Sequence, residues 1–322
     1  MAQYGDSSSG LPPSGVTPPP YGAAPALPPA RPRPRFDAGT ILIPLLFMLL
    51  HIGLQTTAQM VSLALLRPEF DGSSAESIEQ SLLQWFNQNS TIWLGAASAA
   101  AIALYSLGLY ILRRRGQPYV LLERPRVGEA LVSVGAMLGC MGFATLYMIL
   151  VSLLAEHSDF VAGQLERYAE LAGSLTNEHL GAQILVFCVL VPAAEELLFR
   201  GVLCGELLRV ASEPVVIWVS ALVFAVFHLN LIQSGYVFAA GLVLGAVYVW
   251  TRSLPLTILL HGIYNFIGSS LHQIVGENAR AWSIIHALQM VLVPVGLFCL
   301  VLLWLRQRDR QADRGGQKWQ ET

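Results

Sequence analysis

Long apolar stretches recur along the chain, and they constrain its fold more than any other feature. About eight of them approach the roughly 20 residues that a membrane-spanning helix needs. Their length and their lack of strict alternation indicate helices rather than barrel strands. Only 12% of the residues are charged, about half of what is usual in soluble domains. The sequence therefore predicts an all-α, polytopic transmembrane bundle, with spans near 41–66, 91–112, 129–154, 182–209, 214–232, 236–251, 254–271 and 287–305. Because 236–251 is short and the break at 232–236 is thin, seven or nine spans are the alternatives.

The distribution of basic residues predicts the orientation of this bundle, because Lys and Arg accumulate in short cytoplasmic loops. With the N-terminus inside, the 19 basic residues fall on the cytoplasmic side except for Arg67, Arg167, Arg280 and the intraspan Arg200. Both termini are then cytoplasmic, which requires an even number of spans. We expect an integral multi-pass protein of the bacterial plasma membrane, surrounded by lipid and with no nucleic-acid partner.

Composition divides the chain into four parts. Residues 1–38 are rich in Pro, Gly, Ser and Ala, and they are predicted to form a disordered cytoplasmic tail. Residues 39–180 hold the first spans, and a Leu and Tyr rhythm within 155–181 predicts an amphipathic helix. Residues 181–272 hold the buried polar groups, and 273–322 hold the last span and a basic tail.

Two adjacent glutamates and an arginine lie deep in one apolar segment, VLVPAAEELLFRGVL. A charge at the centre of a span costs roughly 2.5–3.5 kcal/mol, so such residues are retained when they pair or act. Glu196 and Arg200 are four residues apart, on one helix face, and can form an ion pair. Glu195 is rotated from Glu196 by about 100°. It has no such partner, and it is the candidate base. Alternatively, the three residues only hold helices together.

Two later spans each carry a pair of residues one turn apart. Phe224 precedes His228 in SALVFAVFHLN, and His261 precedes Asn265 in LPLTILLHGIYNF. From the cytoplasmic ends of their spans, the helical rise puts Glu195 and His228 about 21 Å deep and His261 about 14 Å deep. The spacing therefore predicts that these groups converge on one polar cavity inside the membrane.

Two chemistries fit this cavity. A glutamate beside a histidine can activate water while a second histidine and an amide donate to an oxyanion, which is the minimum for amide hydrolysis. Alternatively, Glu195, His228 and His261 could bind Zn²⁺ and leave a coordination position open for water. No HExxH motif is present, so a metal site would have to be assembled from separate helices.

At these residues the chain resembles the CAAX protease and bacteriocin-processing (CPBP) family, which includes the type II CAAX prenyl endopeptidases. The resemblance covers about residues 180–270 and three ordered motifs, each inside an apolar span. They are EExxxR (Glu195, Glu196 and Arg200), FxxxH (Phe224 and His228) and HxxxN (His261 and Asn265).

The resemblance implies an intramembrane endopeptidase. It would have Glu195 and His228 activate water, and His261 and Asn265 form the oxyanion site. Glu196, Arg200 and Phe224 would support them. The family has been described both as metalloproteases and as glutamate-dependent proteases, and we favour a metal-independent site. The substrate would be a peptide or membrane protein, with prenylated proteins and peptide precursors among the candidates.

Two other functions fit parts of the pattern. A non-catalytic scaffold or immunity factor could retain the same buried network. A proton-coupled transporter also uses intramembrane Glu and His residues, but the two halves of this chain show no inverted repeat. A polar stripe on the first span, made of His51, Gln55 and Gln59, is interpreted as interhelical hydrogen bonding.

Overall fold

The computed structural model of the chain describes residues 36–66, 74–114, 120–174 and 179–317. Within these ranges the chain is helical apart from short turns and an isolated bridge between Leu122 and Ser253. The predicted all-α polytopic fold is thereby confirmed. The helices are α1 (Ala38–Leu66), α2 (Ala75–Gln88), α3 (Ser90–Arg114), α4 (Val127–Ala155), α5 (Asp159–Ser174), α6 (Leu180–Val210), α7 (Glu213–Phe227), α8 (Leu231–Thr251), α9 (Leu254–Val275) and α10 (Ala279–Gln317).

Among the described residues, seven helices are long and apolar enough to cross a membrane: α1, α3, α4, α6, α8, α9 and α10. The apolar helix α7 has only 15 residues, about 22 Å, which is shorter than the hydrocarbon core. These helices correspond in order to the eight predicted spans. The number that cross the bilayer and the cytoplasmic location of the termini stay predictions. The disordered tail lies almost entirely outside the described residues.

The break after the fifth apolar helix differs from its predicted position. Helix α7 ends at Phe227 rather than near residue 232, and His228 is its C-cap. Leu229 then adopts a left-handed backbone (φ 52°), and the Asn230 side chain accepts a hydrogen bond from the backbone of Gln233 at 2.9 Å. This asparagine cap starts α8 earlier than hydrophobicity alone suggests.

Between the long helices lie two amphipathic ones. Helix α5 occupies the segment 155–181 in which the sequence predicts an amphipathic helix, and that prediction is confirmed. Helix α2 lies between the first two predicted spans, 41–66 and 91–112. Both helices combine polar and apolar faces, as expected at the boundary between membrane and water.

The core is built around α8. Its most apolar segment is 61% buried, whereas the corresponding segments of α1 and α10 are each 17% buried. Residues of α8 contact α3, α6 and α7 in one apolar cluster and α4, α9 and α10 in another. Helices α4 and α10 approach at Gly139, where a Cβ would lie only 2.4 Å from the Cα of Gly296. Such close backbone contact is a usual means of helix association in membranes.

The motif-bearing helices are not regular. Helix α6 contains π-helical turns at Ile184–Leu190 and Leu197–Leu203, on either side of the EE pair. A further π-helical turn, Phe266–Ser270, follows Asn265 in α9. A π-turn rotates the side chains that follow it relative to a regular helix, and it frees backbone carbonyls for other donors. The irregular turns therefore border the segments that carry the polar residues.

Candidate active site

A fully buried ion pair lies at the centre of the bundle. The Arg200 Nη1 group donates to Glu196 Oε1 at 2.8 Å, and both side chains are 0% exposed. Arg200 Nη2 also donates to the backbone carbonyl of Gly241 on α8, at 3.2 Å. The guanidinium lies 4.8 Å from the ring centroid of Phe224 on α7, within cation–π range. The predicted pair is present, and it joins α6 to two neighbouring helices.

His261 on α9 approaches both glutamates. Its Nδ1–H donates to Glu196 Oε1 at 2.9 Å, and its Nε2 lies 3.6 Å from Glu195 Oε2. The second distance exceeds that of a hydrogen bond, but it lies within ion-pair range for a protonated imidazole. Because Glu196 accepts from Nδ1, it orients the imidazole with Nε2 towards Glu195.

The two glutamates differ in exposure as well as in partners. The Glu195 side chain is 15% exposed, whereas that of Glu196 is 0% exposed. Within the described residues no hydrogen bond or arginine contact engages Glu195, and His261 is its ion-pair neighbour. Glu195 is therefore the carboxylate that a small molecule such as water can reach.

His228 is positioned by its own helix. Its Nδ1–H donates to the backbone carbonyl of Phe224 at 2.9 Å, which leaves the lone pair on Nε2. The Phe224 ring contacts the His228 ring at 4.9 Å and the His261 ring at 5.7 Å, both nearly perpendicular. The Phe224 ring thus contacts Arg200 and both histidines.

Asn265 is engaged by a backbone group that the sequence did not indicate. Its Nδ2 donates to the carbonyl of Phe187 at 2.8 Å, in the first π-helical turn of α6. An amide NH₂ group has two hydrogens, so one remains for another acceptor. No side-chain pattern marks a backbone acceptor, and only the spacing of Asn265 after His261 pointed to this helix face.

Close contact between α6 and α9 makes these bonds geometrically feasible. A Cβ on Gly262 would lie 2.3 Å from the carbonyl oxygen of Cys188, so glycine alone fits at this point. The neighbouring His261 and Asn265 each reach a partner on α6 from this point of approach. The backbone separation of the two helices therefore sets the positions of both polar side chains.

The contacts of Glu195 add a neighbour to those that the resemblance implies. The resemblance has Glu195 and His228 activate water together, and the histidine within 4 Å of Glu195 is His261. The reason is that Glu196 serves both Arg200 on its own helix and His261 on another. Within the described residues no hydrogen bond joins His228 to Glu195.

The three candidate zinc ligands are not clustered in the part of the chain that the structure describes. Across residues 36–66, 74–114, 120–174 and 179–317, no group of three or more His, Cys, Asp or Glu side chains is arranged to hold an ion. The possible Zn²⁺ ligands named from the sequence, Glu195, His228 and His261, do not form such a group. Only His261 and Glu195 lie within ion-pair distance of each other.

Replacing Glu196 is expected to destabilise the protein more than replacing Glu195. The change Glu196→Gln leaves Arg200 as an uncompensated buried cation, a loss on the order of 3–5 kcal/mol. Thermal unfolding of the detergent-solubilised protein should show a clear drop for Glu196→Gln and little change for Glu195→Gln. The double change Glu196→Gln with Arg200→Met should recover stability. The opposite order of the two single variants would contradict the assigned ion pair.

Gly262→Ala is expected to reduce activity by pushing α9 away from α6. The added methyl group meets a backbone carbonyl, which cannot rotate aside as a flexible side chain can. Gly268→Ala on the same helix is the matched control, because nothing lies within 4 Å of its Cβ. Both variants are compared with the parent for cleavage of a model substrate and for thermal stability. Equal activity of the two would refute the close-approach argument.

Comparisons with known proteins match the segment of the chain that carries this site. Residues 177–267 match the family model of type II CAAX prenyl endopeptidase Rce1-like proteins. The chain is 32% identical over 90 residues to the membrane-embedded CAAX protease MroQ of Staphylococcus aureus (strain USA300), and the aligned segment covers 26% of this chain and 36% of that relative. No solved structure matches at a significant level. This integral multi-pass membrane protein therefore carries, in residues 177–267, a domain of the CAAX protease family.

Proposed function

We propose that the chain is an intramembrane endopeptidase that hydrolyses a peptide bond with water activated by Glu195. The observation that supports this most is the contrast between adjacent carboxylates. Glu196 is sealed in an ion pair at 0% exposure, whereas Glu195 is 15% exposed and free of arginine. One carboxylate thus braces the site and the other is left to react. Membership of the CAAX protease family supports the same activity.

In the proposed reaction, Glu195 takes a proton from a water molecule, and the water oxygen attacks the carbonyl carbon of the peptide bond. His228 assists through Nε2, whose lone pair is left available by the bond from Nδ1 to Phe224. This step produces a tetrahedral intermediate with a negative oxygen. The carbon–nitrogen bond then breaks, and Glu195 returns the proton to the leaving amine.

The oxyanion is stabilised by donors that face it before reaction. Asn265 has one amide hydrogen beyond the bond to Phe187, and His261 in its protonated form can donate from Nε2. Donors fixed in advance need no reorganisation when charge develops, which is why they contribute strongly to catalysis. Glu196 contributes indirectly, since it fixes the ring orientation of His261.

The substrate proposed for this site is a peptide or a membrane protein, because the reacting groups lie on helices of the bundle interior. Prenylated proteins and peptide precursors both belong to this class. A non-catalytic scaffold would need the same ion pair for stability, but it would have no use for an unpaired, reachable glutamate. Removing Glu195 therefore separates the two functions.

Turnover of a model peptide should fall by roughly a hundredfold or more in Glu195→Gln, the loss expected when a general base is removed. Folding should be unaffected, because Glu195 has no buried cation to strand. The matched control is Glu170→Gln, the same substitution at an exposed position of α5. The purified proteins are assayed in lipid vesicles. Full activity of Glu195→Gln would rule out this mechanism, and a folded parent protein without activity would favour a scaffold.

We also propose that the reaction needs no metal, because Glu196 and Asn265 are engaged by protein groups. Incubation with a chelator should leave the rate unchanged, and added Zn²⁺ should not raise it. Metal content is measured in the same preparations. Stoichiometric zinc in the parent that is lost in His228→Ala, together with inhibition by the chelator, would establish a metal site instead.

A further inference from the structure

We propose that Tyr105 on α3, oriented by His51 on α1, is a positioning residue that donates its hydroxyl hydrogen towards Glu195 during the reaction. This inference rests on the proposed function and extends the site beyond residues 177–267, the segment that matches the family model. Both side chains belong to the first spans, in which the sequence shows no family motif. The polar stripe of α1 thereby gains a role beyond helix association.

His51 is held firmly by two hydrogen bonds. It is 4% exposed, its Nε2 lies 3.1 Å from Gln55 Nε2, and its Nδ1 lies 2.9 Å from the Tyr105 hydroxyl. An amide NH₂ can only donate, so Nε2 accepts and the hydrogen is on Nδ1. The imidazole therefore donates to the Tyr105 oxygen, and the donor direction runs from Gln55 through His51 to Tyr105.

The Tyr105 hydroxyl hydrogen is poorly satisfied where it lies. Tyr105 is 0% exposed, and the acceptor given for its O–H within the described residues is the carbonyl of Phe47, at 3.5 Å. That distance is at the outer limit of a hydrogen bond, well beyond the usual O–H···O length of about 2.7–2.8 Å. The Tyr105 oxygen already accepts a hydrogen bond from His51. Its hydroxyl hydrogen can therefore rotate away from the Phe47 carbonyl towards a better acceptor.

Glu195 belongs to the segment of α6 that packs against Tyr105. Tyr105 lies in one apolar cluster with Ala194, the residue before Glu195, and with Leu198. The negative charge of the Glu195 carboxylate also interacts electrostatically with His51 and Tyr105. The His51 ring contacts Phe227, the residue before His228, at 5.5 Å. His261 approaches Glu195 from α9, at 3.6 Å. A phenol donor here would fix which carboxylate oxygen faces the water.

A bond between helices and a positioning role make different kinetic predictions. A donor that orients the base lowers kcat without changing substrate binding, and it has no effect once the base is gone. A bond that only joins α1 to α3 changes stability and leaves the catalytic rate of folded protein intact. Substrate contact would instead raise KM.

The test uses Tyr105→Phe, which removes one oxygen and keeps the ring that packs on Phe47 at 5.4 Å. Tyr110→Phe on the same helix, 52% exposed, is the matched control. We expect kcat to fall about tenfold in Tyr105→Phe, with KM within about twofold of the parent and an unchanged unfolding temperature. His51→Leu should give a similar loss, and His51→Gln should recover part of it.

The same tyrosine change is also made in the Glu195→Gln protein, where it should cause no further loss of rate. Parental kcat in Tyr105→Phe and His51→Leu, with Glu195→Gln inactive, would overturn this inference and leave the proposed function intact. A rise in KM alone, or an equal further loss in the Glu195→Gln background, would also overturn it. Full activity of Glu195→Gln would instead refute the proposed function itself.

Discussion

The buried pair of Glu196 and Arg200 is the interaction on which the rest of the site depends. Two charges without solvent are stable only when further bonds satisfy their remaining groups. Here Arg200 also reaches the carbonyl of Gly241 and the ring of Phe224, while Glu196 accepts from His261. Each of these partners lies on a different helix. The contacts made by one ion pair therefore tie α7, α8 and α9 to α6.

That requirement explains how two adjacent glutamates acquire different chemistry. Glu196 faces the arginine and becomes a structural group. Glu195, rotated to the next position of the helix, meets no arginine and keeps partial exposure. The same division extends to the histidines. His261 is oriented by a carboxylate, and His228 by the backbone of its own helix, so each presents Nε2 in a defined direction. Catalytic geometry thus follows from the way in which buried charge is neutralised.

Much of this arrangement could be predicted from the sequence. The apolar segments mark the long helices, and the four-residue spacing of Glu196 and Arg200 correctly predicts their ion pair.

The contact between His261 and both glutamates could not be predicted, because helical spacing describes neighbours within one helix only. The Phe187 carbonyl is a backbone group in a π-helical turn, and no residue type signals it. The end of α7 depends on a single asparagine cap, which hydrophobicity does not register. His51 was identified as part of a polar stripe on the first span, but its hydrogen bond to Tyr105 required the packing of α1 on α3.

The central claim is that this membrane-embedded site cuts peptide bonds. The most direct measurement compares the protein termini present in membranes that carry the parent or the Glu195→Gln protein at equal abundance. Our account predicts new amino and carboxyl termini in the parent membranes, with both ends of each cleaved bond present. These termini should be absent from the Glu195→Gln membranes. Identical termini in both membranes, with Glu195→Gln folded and equally abundant, would contradict it.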